Sequence, residues 1–274
     1  MGELSLVLFT VISQLAVGAL VTLWMLETLG KKISIETGKM LTLSILGVTA
    51  VGLVISLTHL GHPFKAYLAL TNVGSSWLSR EVIMFSLFFA AAFIYFLQWK
   101  EGMQNSRKLI GLVASIIGTV GVAFSGMIYV LPAMPAWNNF SPVIFFLITA
   151  LLLGPVYVSS VLVWRKEMQL PNIATLAVVA IIISIIASLL HLSTISSGSI
   201  AQSMTATNML ASSVFWLRVV FGWVVPLAIF AHYAYHKQQM NSSILITAFV
   251  MLLAGELMAR ELFYSAVVAL QIGL

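Results

Sequence analysis

Residues 141–164 read SPVIFFLITALLLGPVYVSSVLVW, with no charged side chain until Arg165 and Lys166 follow. As a helix this run is about 36 Å long, enough for a hydrocarbon core of about 30 Å. Its Leu, Ile, Val and Phe point to every side, as expected of a helix with no water-facing surface. Working outward, charged residues and Pro/Gly breaks set off seven more such runs at 5–29, 40–59, 79–99, 109–131, 172–192, 213–236 and 242–271. The fold class is therefore expected to be all-α, a polytopic membrane protein with eight transmembrane helices. The 274 residues divide into about 34 for each span with its connection. That leaves no room for a folded extramembrane domain, so residues 1–274 read as a single transmembrane unit. No basic segment precedes the first apolar run, which argues against a cleaved signal peptide.

Composition agrees and excludes other classes. The chain is 61% hydrophobic and 8% charged, where a soluble domain is nearer 45–50% and 25%. A soluble enzyme is excluded first. Nucleic-acid binding is excluded next, because the 13 basic residues behind the net charge of +5 form no stripe. With no cysteine there is no disulfide, thiolate-held iron–sulfur cluster, thiol catalysis or thioether-linked haem. No metal site is expected.

The basic residues sort by side. The odd-numbered connections carry Lys31, Lys32, Lys39, Lys100, Arg107, Lys108, Arg165, Lys166 and Lys237, whereas the opposite face has only Lys65 clearly within a loop. By the positive-inside rule the odd connections are cytoplasmic and both termini face outward. Arg80, Arg218 and Arg260 fall inside span ends on the outer side.

Ionisable residues within spans usually mark a pathway or a pair, and here they gather toward the outer face. His59 closes the second span, and Gly61 and Pro63 suit its termination. Beyond a loop with Tyr67, Asn72 and Trp77, the third span opens on Ser79-Arg80-Glu81, so His59 and Glu81 bracket one outer loop. His191 and Arg218 sit at the same boundary, with Glu256 and Arg260 on the last span. A quinol pocket needs this kind of place: near an interface, apolar around the ring, with hydrogen-bonding groups at its oxygens. Oxidising a quinol releases two protons, and a His or carboxylate with a route to water can accept them. His59 and Glu81 fit by type and depth.

Plainer readings stand beside these. His59 can cap a helix end, His62 can be solvated in its loop, and Arg80 and Lys65 can reach lipid phosphates. Ser79 is expected as the N-cap of the third helix, with Glu81 favouring the dipole of the first turn. Glu256 and Arg260, spaced i, i+4 with Glu first, are expected to form a structural ion pair, with Glu261 able to share the arginine. His232 and His236 read as interfacial. Trp137, between Pro135 and Pro142, either anchors its loop at the headgroups or covers a pocket. Two other functions remain open: a haem-b quinol subunit using His59 and His191 as axial ligands, and a transporter whose helices break near Gly154-Pro155 and Pro226.

Five motifs in order, from Phe9-Thr10-Val11 with Gln14 and Gly18 through His59-Leu60-Gly61-x-Pro63, Val73-Gly74 with Ser79-x-Glu81, and Pro135-x-Trp137, to Leu252-Leu253-Ala254-Gly255-Glu256-Leu257-x-x-Arg260 with Phe263-Tyr264, run along the chain. Together they resemble the membrane anchor subunit family of dimethyl sulfoxide reductase (DmsC type). The resemblance implies eight helices as two four-helix bundles in a bacterial plasma membrane. It implies an anchor that oxidises menaquinol in anaerobic respiration, binds no haem or iron–sulfur cluster, and passes electrons to a four-cluster ferredoxin-like subunit. That partner and a molybdopterin catalytic subunit would sit on the outer face. By the same resemblance His59 is the quinol-site histidine and Glu81 the acidic residue at the third-helix start, with Arg80 beside them in the quinol pocket. Arg80 stands where an Asn is expected, His62 where a small polar residue is common, and Ala259-Arg260-Glu261 where glycines are usual.

Overall fold

The computed structural model describes residues 2–58, 72–170 and 172–270. Among them, eight helices are long and apolar enough to cross a membrane, and no strand occurs. They are α1 (Gly2–Thr28), α2 (Ile35–Thr58), α3 (Trp77–Leu97), α4 (Gln104–Met127), α5 (Ser141–Trp164), α6 (Ile173–Ser196), α8 (Ser213–His236) and α9 (Ser242–Ser265). A ninth, α7 (Ile200–Ala211), is too short to cross.

The helices form two rings of four. In the first, α1 packs on α2, α2 on α3, α3 on α4 and α4 on α1; in the second, α5 packs on α6, α6 on α8, α8 on α9 and α9 on α5. The rings share the α1–α5 interface, and these two helices are buried for most of their length while the others expose apolar faces. A side chain on Gly18 would run into the backbone of Ala150, and one on Gly154 into the backbone of Gly18. Small residues drive this kind of approach in a membrane, where apolar burial gives helices no preference for each other over lipid. The second ring repeats the device. A Cβ on Gly222 of α8 would lie 2.9 Å from the Cα of Gly255 of α9.

The ends of the helices define two faces. The N terminus, the 128–140 loop, α7 and the residues after α9 share one, here called the terminal face; Leu270 donates to Ala133 O there at 2.9 Å, and Val7 packs with Trp137 and Tyr264. The connections at 29–34, 98–103, 165–172 and 237–241 form the other, which carries most of the lysines.

Several local expectations are corrected. The N-cap of α3 is Ser76, whose Oγ accepts the Ser79 N–H at 3.3 Å, because the helix starts at Trp77. The last helix stops at Ser265, and the polypeptide beyond is held across the terminal face, with Val268 N donating to Thr205 Oγ1 at 3.0 Å. Arg107, expected as a loop charge, is buried in the first turn of α4 and paired with Glu27 at 2.6 Å. Helix α7 was not foreseen; Gln202 secures its start by accepting Ser199 N–H at 2.8 Å and ties it to the neighbouring loop by donating to Pro135 O at 3.2 Å. Neither proline interrupts its span. Helix α5 continues through Pro155, and Pro226 follows a π-helical turn at Val219–Val224 that keeps α8 continuous.

On the basic face, Ser34 Oγ accepts Thr37 N–H at 3.1 Å at the start of α2, while its own N–H donates to Glu167 Oε2 at 3.2 Å and its hydroxyl to Glu167 Oε1. Burial would raise the Glu167 pKa, but hydrogen bonds from Ser34 and Thr37 and the charge of Arg165 outweigh it and hold the carboxyl below its usual value. A carboxylate with a lowered folded pKa stabilises above its ordinary pKa, and the contribution disappears as pH falls through the folded value. Glu167→Ala is therefore expected to cost about 0.5–1 kcal/mol at neutral pH, the group being only partly buried. The melting difference from the parent in detergent should shrink as the buffer is taken below about pH 4; a difference independent of pH would contradict it.

Candidate functional site

A layer of buried polar side chains lies under the terminal face and crosses from one ring to the other. Glu81 begins it, five residues into α3 and 5% exposed. Ser125 Oγ of α4 donates to Glu81 Oε1. Two glycines on α4 allow that approach: a Cβ on Gly121 would lie 3.2 Å from Met84 Cβ, and one on Gly118 2.8 Å from the Phe88 ring. Phe85, one turn further along α3, stands edge-on to Phe9 at 5.8 Å.

On the same face, the hydroxyls of Tyr129 and Tyr264 lie 2.7 Å apart. These tyrosines sit in an aromatic group where Trp137 stacks on Phe263 at 4.6 Å and Tyr129 meets Trp137, Phe146 and Phe263 within 6 Å. Of the two readings of Trp137, the structure favours the cover: it is 8% exposed and lines a cleft.

Arg260 carries the layer into the second ring. Its Nη2 donates to Gln14 Oε1 at 2.9 Å and to Thr149 Oγ1 at 3.4 Å, and its guanidinium lies 3.5 Å from the Phe146 ring centre. Thr149 Oγ1 donates to Glu256 Oε2 at 2.5 Å. Glu256 and Arg260 thus meet through Thr149. The direct ion pair expected from their spacing is absent among the described residues, because Arg260 reaches across to α1 instead. Beside it, under the 136–137 loop and α7, helices α5, α6, α8 and α9 line a cleft of about 50 Å³ that includes His191, Arg218, Glu256 and Arg260.

The site residues foreseen from sequence are placed as follows. His59, with His62 and Lys65, lies outside the described residues. Glu81 is buried in the polar layer. Arg80, its neighbour in sequence, turns the other way: Nε donates to Val73 O at 2.9 Å, Nη2 to Gly74 O at 2.6 Å, and the guanidinium covers the Trp77 ring at 4.3 Å. It fastens the loop before α3, since successive residues on a helix point in different directions. His232 and His236 have ring centres 4.6 Å apart on the basic face, and no group of three metal-binding side chains occurs among the described residues.

Sequence reasoning passed over Ser125, Tyr129 and Thr149. Only Ser125 left a trace, as the polar member of the small-residue stripe Gly118, Gly121, Ser125; a threonine in a helix ordinarily bonds back to its own turn, and Thr149 Oγ1 does lie 3.0 Å from Phe145 O, although its one proton is directed to the closer Glu256 carboxylate.

Comparison with known proteins places this arrangement. The YnfH subunit of an anaerobic dimethyl sulfoxide reductase from Escherichia coli K12 is 29% identical over 96% of this sequence and 94% of its own length. The C subunit of anaerobic dimethyl sulfoxide reductase from the same strain is 27% identical with the same coverage, and the C subunit from Haemophilus influenzae is 30% identical over 65% of this sequence and 66% of its own. The family model described as DMSO reductase anchor subunit (DmsC) matches residues 1–266, and the chain, a multi-pass membrane protein, belongs to that family.

Proposed function

We propose that the protein is the quinol-oxidising membrane anchor of a molybdoenzyme complex of the dimethyl sulfoxide reductase type, working in anaerobic respiration. The observation that carries this reading is Glu81, a buried carboxylate near the membrane surface with a hydroxyl partner and no cation within 4 Å among the described residues. Such a group suits proton acceptance from a neutral diol better than it suits locking the bundle. His59, which follows α2 in sequence, is the acceptor at the quinol oxygen, Glu81 takes the second proton or passes it outward, and Arg80 fastens Val73 and Gly74 before α3.

Oxidation of menaquinol leaves menaquinone, two protons and two electrons. The protein has no cysteine, so it has no thiolate-held cluster to store electrons, and they pass to a ferredoxin-like iron–sulfur subunit docked on the terminal face and on to a molybdopterin catalytic subunit. Exposed Phe140 and Ile200 on that face suit a covered surface. The lysine-rich face is cytoplasmic by the positive-inside rule, which puts both termini and the partners outside the plasma membrane.

In the intact complex, His59→Arg and Glu81→Gln should each lower quinol-linked turnover roughly 100-fold. Turnover with a soluble dye that feeds the catalytic subunit directly should stay at the parent level. Undiminished quinol-linked turnover in both variants would overturn the assignment.

A further inference from the structure

The cleft of the second ring is lined by charged residues that keep a buried nitrogen without a hydrogen bond among the described residues. Arg218 is 7% exposed and Arg260 4%. Nε of each, and Nδ1 of His191, are buried and make no hydrogen bond. Arg218 has one weak contact, 3.4 Å to Ser188 Oγ, and covers Trp223 at 4.5 Å. Buried polar groups are nearly always satisfied, so unpaired donors facing a common space point to a ligand. The backbone is arranged to place them there: a π-helical turn, a feature frequent at functional sites, starts one residue after Arg218, and the Gly222–Gly255 contact brings α8 against α9 beside Glu256.

The lining selects the ligand by charge and shape. Glu256 would repel an anion and the two arginines a cation, so the occupant is neutral and must both accept and donate hydrogen bonds. Phe145, Phe215, Phe263 and Trp137 provide flat apolar walls. The polar groups form two levels: His191 and Arg218 are each five residues from the terminal-face end of their helix, and Thr149 and Glu256 eight and nine. The levels are about 5 Å apart along the helix axes, so a ring lying between them meets polar groups at both edges.

We propose that this cleft is a second binding site, distinct from the His59–Glu81 region, for the ring of a neutral quinone or quinol held between His191 with Arg218 at one oxygen and Thr149 with Glu256 at the other. That a ring fills the cleft follows from its lining; that the ring is a quinone rests on the quinol-handling reading above.

The test is photolabelling of the intact complex in native membranes with a radiolabelled azido-naphthoquinone, followed by peptide mapping. Label is expected on residues 184–192, 215–218 and 256–263 of the parent. Arg218→Met combined with Glu256→Gln should lower that label at least tenfold, with Arg218→Lys intermediate. Ala259→Phe, which fills the cleft without altering either charge, should lower it equally and covers poor folding of the charge variant. In Glu81→Gln the cleft label should persist whatever happens to turnover, which separates this proposal from the assignment of Glu81. No label on these peptides in the parent, label unchanged in Ala259→Phe, or label lost in Glu81→Gln would each overturn it. So would displacement by excess phosphatidylglycerol, which would assign the cleft to an anionic lipid.

Discussion

Arg107→Met is expected to cost the folded protein about 3–5 kcal/mol, the penalty for leaving one member of a buried ion pair alone. Arg107 Nε lies 2.6 Å from Glu27 Oε1, Nη1 donates to Gln98 O at 3.3 Å, and the guanidinium sits 3.9 Å above the Trp99 ring. Trp99 is itself fixed by Nε1–H donating to Thr42 Oγ1 at 3.0 Å. The arginine therefore joins α4 to α1, to the end of α3 and, through Trp99, to α2, at the basic end of the first ring. Without it the Glu27 carboxylate, 2% exposed, keeps the Tyr95 hydroxyl as its one side-chain partner among the described residues. Removing every member of the network should cost much less, because a buried pair replaced by apolar groups of similar volume is often neutral. Glu27→Met with Tyr95→Phe and Arg107→Met should accordingly melt well above Arg107→Met alone. The single variant should lose on the order of 10 °C in detergent; a loss under about 2 °C would show that the pair does not hold the ring.

That network also shows which parts of the molecule a sequence can disclose. Span number is legible because lipid imposes it: each helix must satisfy its own backbone and cover itself with apolar side chains, and that pattern is local. Residues 141–164 carry it without ambiguity. Arg107 does not, since an arginine beside Lys108 at a span end looks the same whether it meets water or Glu27, eighty positions away. Helix α7 was hidden for a related reason. Its Ser, Thr, Gln and Asn resemble a loop, and what makes it helical is an N-terminal Gln202 contact and packing on neighbouring helices.

The site divides along the same line. Glu81 was visible as a carboxylate at a span end, and the structure buries it. Its partner Ser125 lies on another helix, and no spacing rule within one helix reaches that far. The i, i+4 spacing of Glu256 and Arg260 predicted a direct pair, and would have given one on an isolated helix. In the folded bundle Gln14 of α1 competes for the arginine and Thr149 of α5 for the carboxylate. Arg80 shows the converse. Adjacency to Glu81 in sequence suggested a shared pocket, yet a step of about 100° around the helix sends the two side chains to different surroundings.

Gly18→Val is expected to destabilise the protein by about 3 kcal/mol, the upper end for overpacking, and to lower quinol-linked turnover along with it. The first Cβ would already meet the carbonyl of Ala150, and backbone on the facing helix cannot swing aside as a side chain can. The only relief is for α1 and α5 to part, and this crossing holds the two rings together. Gln14 lies one turn from Gly18 on the same side of α1, so the parting also draws its side chain from Arg260, now 2.9 Å away. Gly18→Ala should show a smaller loss of both kinds. Gly47→Ala, on α2 where a Cβ meets nothing within 4 Å, should leave turnover unchanged and hold or raise the melting temperature, since alanine favours a helix over glycine. Dye-linked turnover of the complex distinguishes a failed anchor from a failed catalytic subunit. Equal melting and equal quinol-linked rates for Gly18→Val and Gly47→Ala would mean that the α1–α5 approach does not set the position of the polar layer.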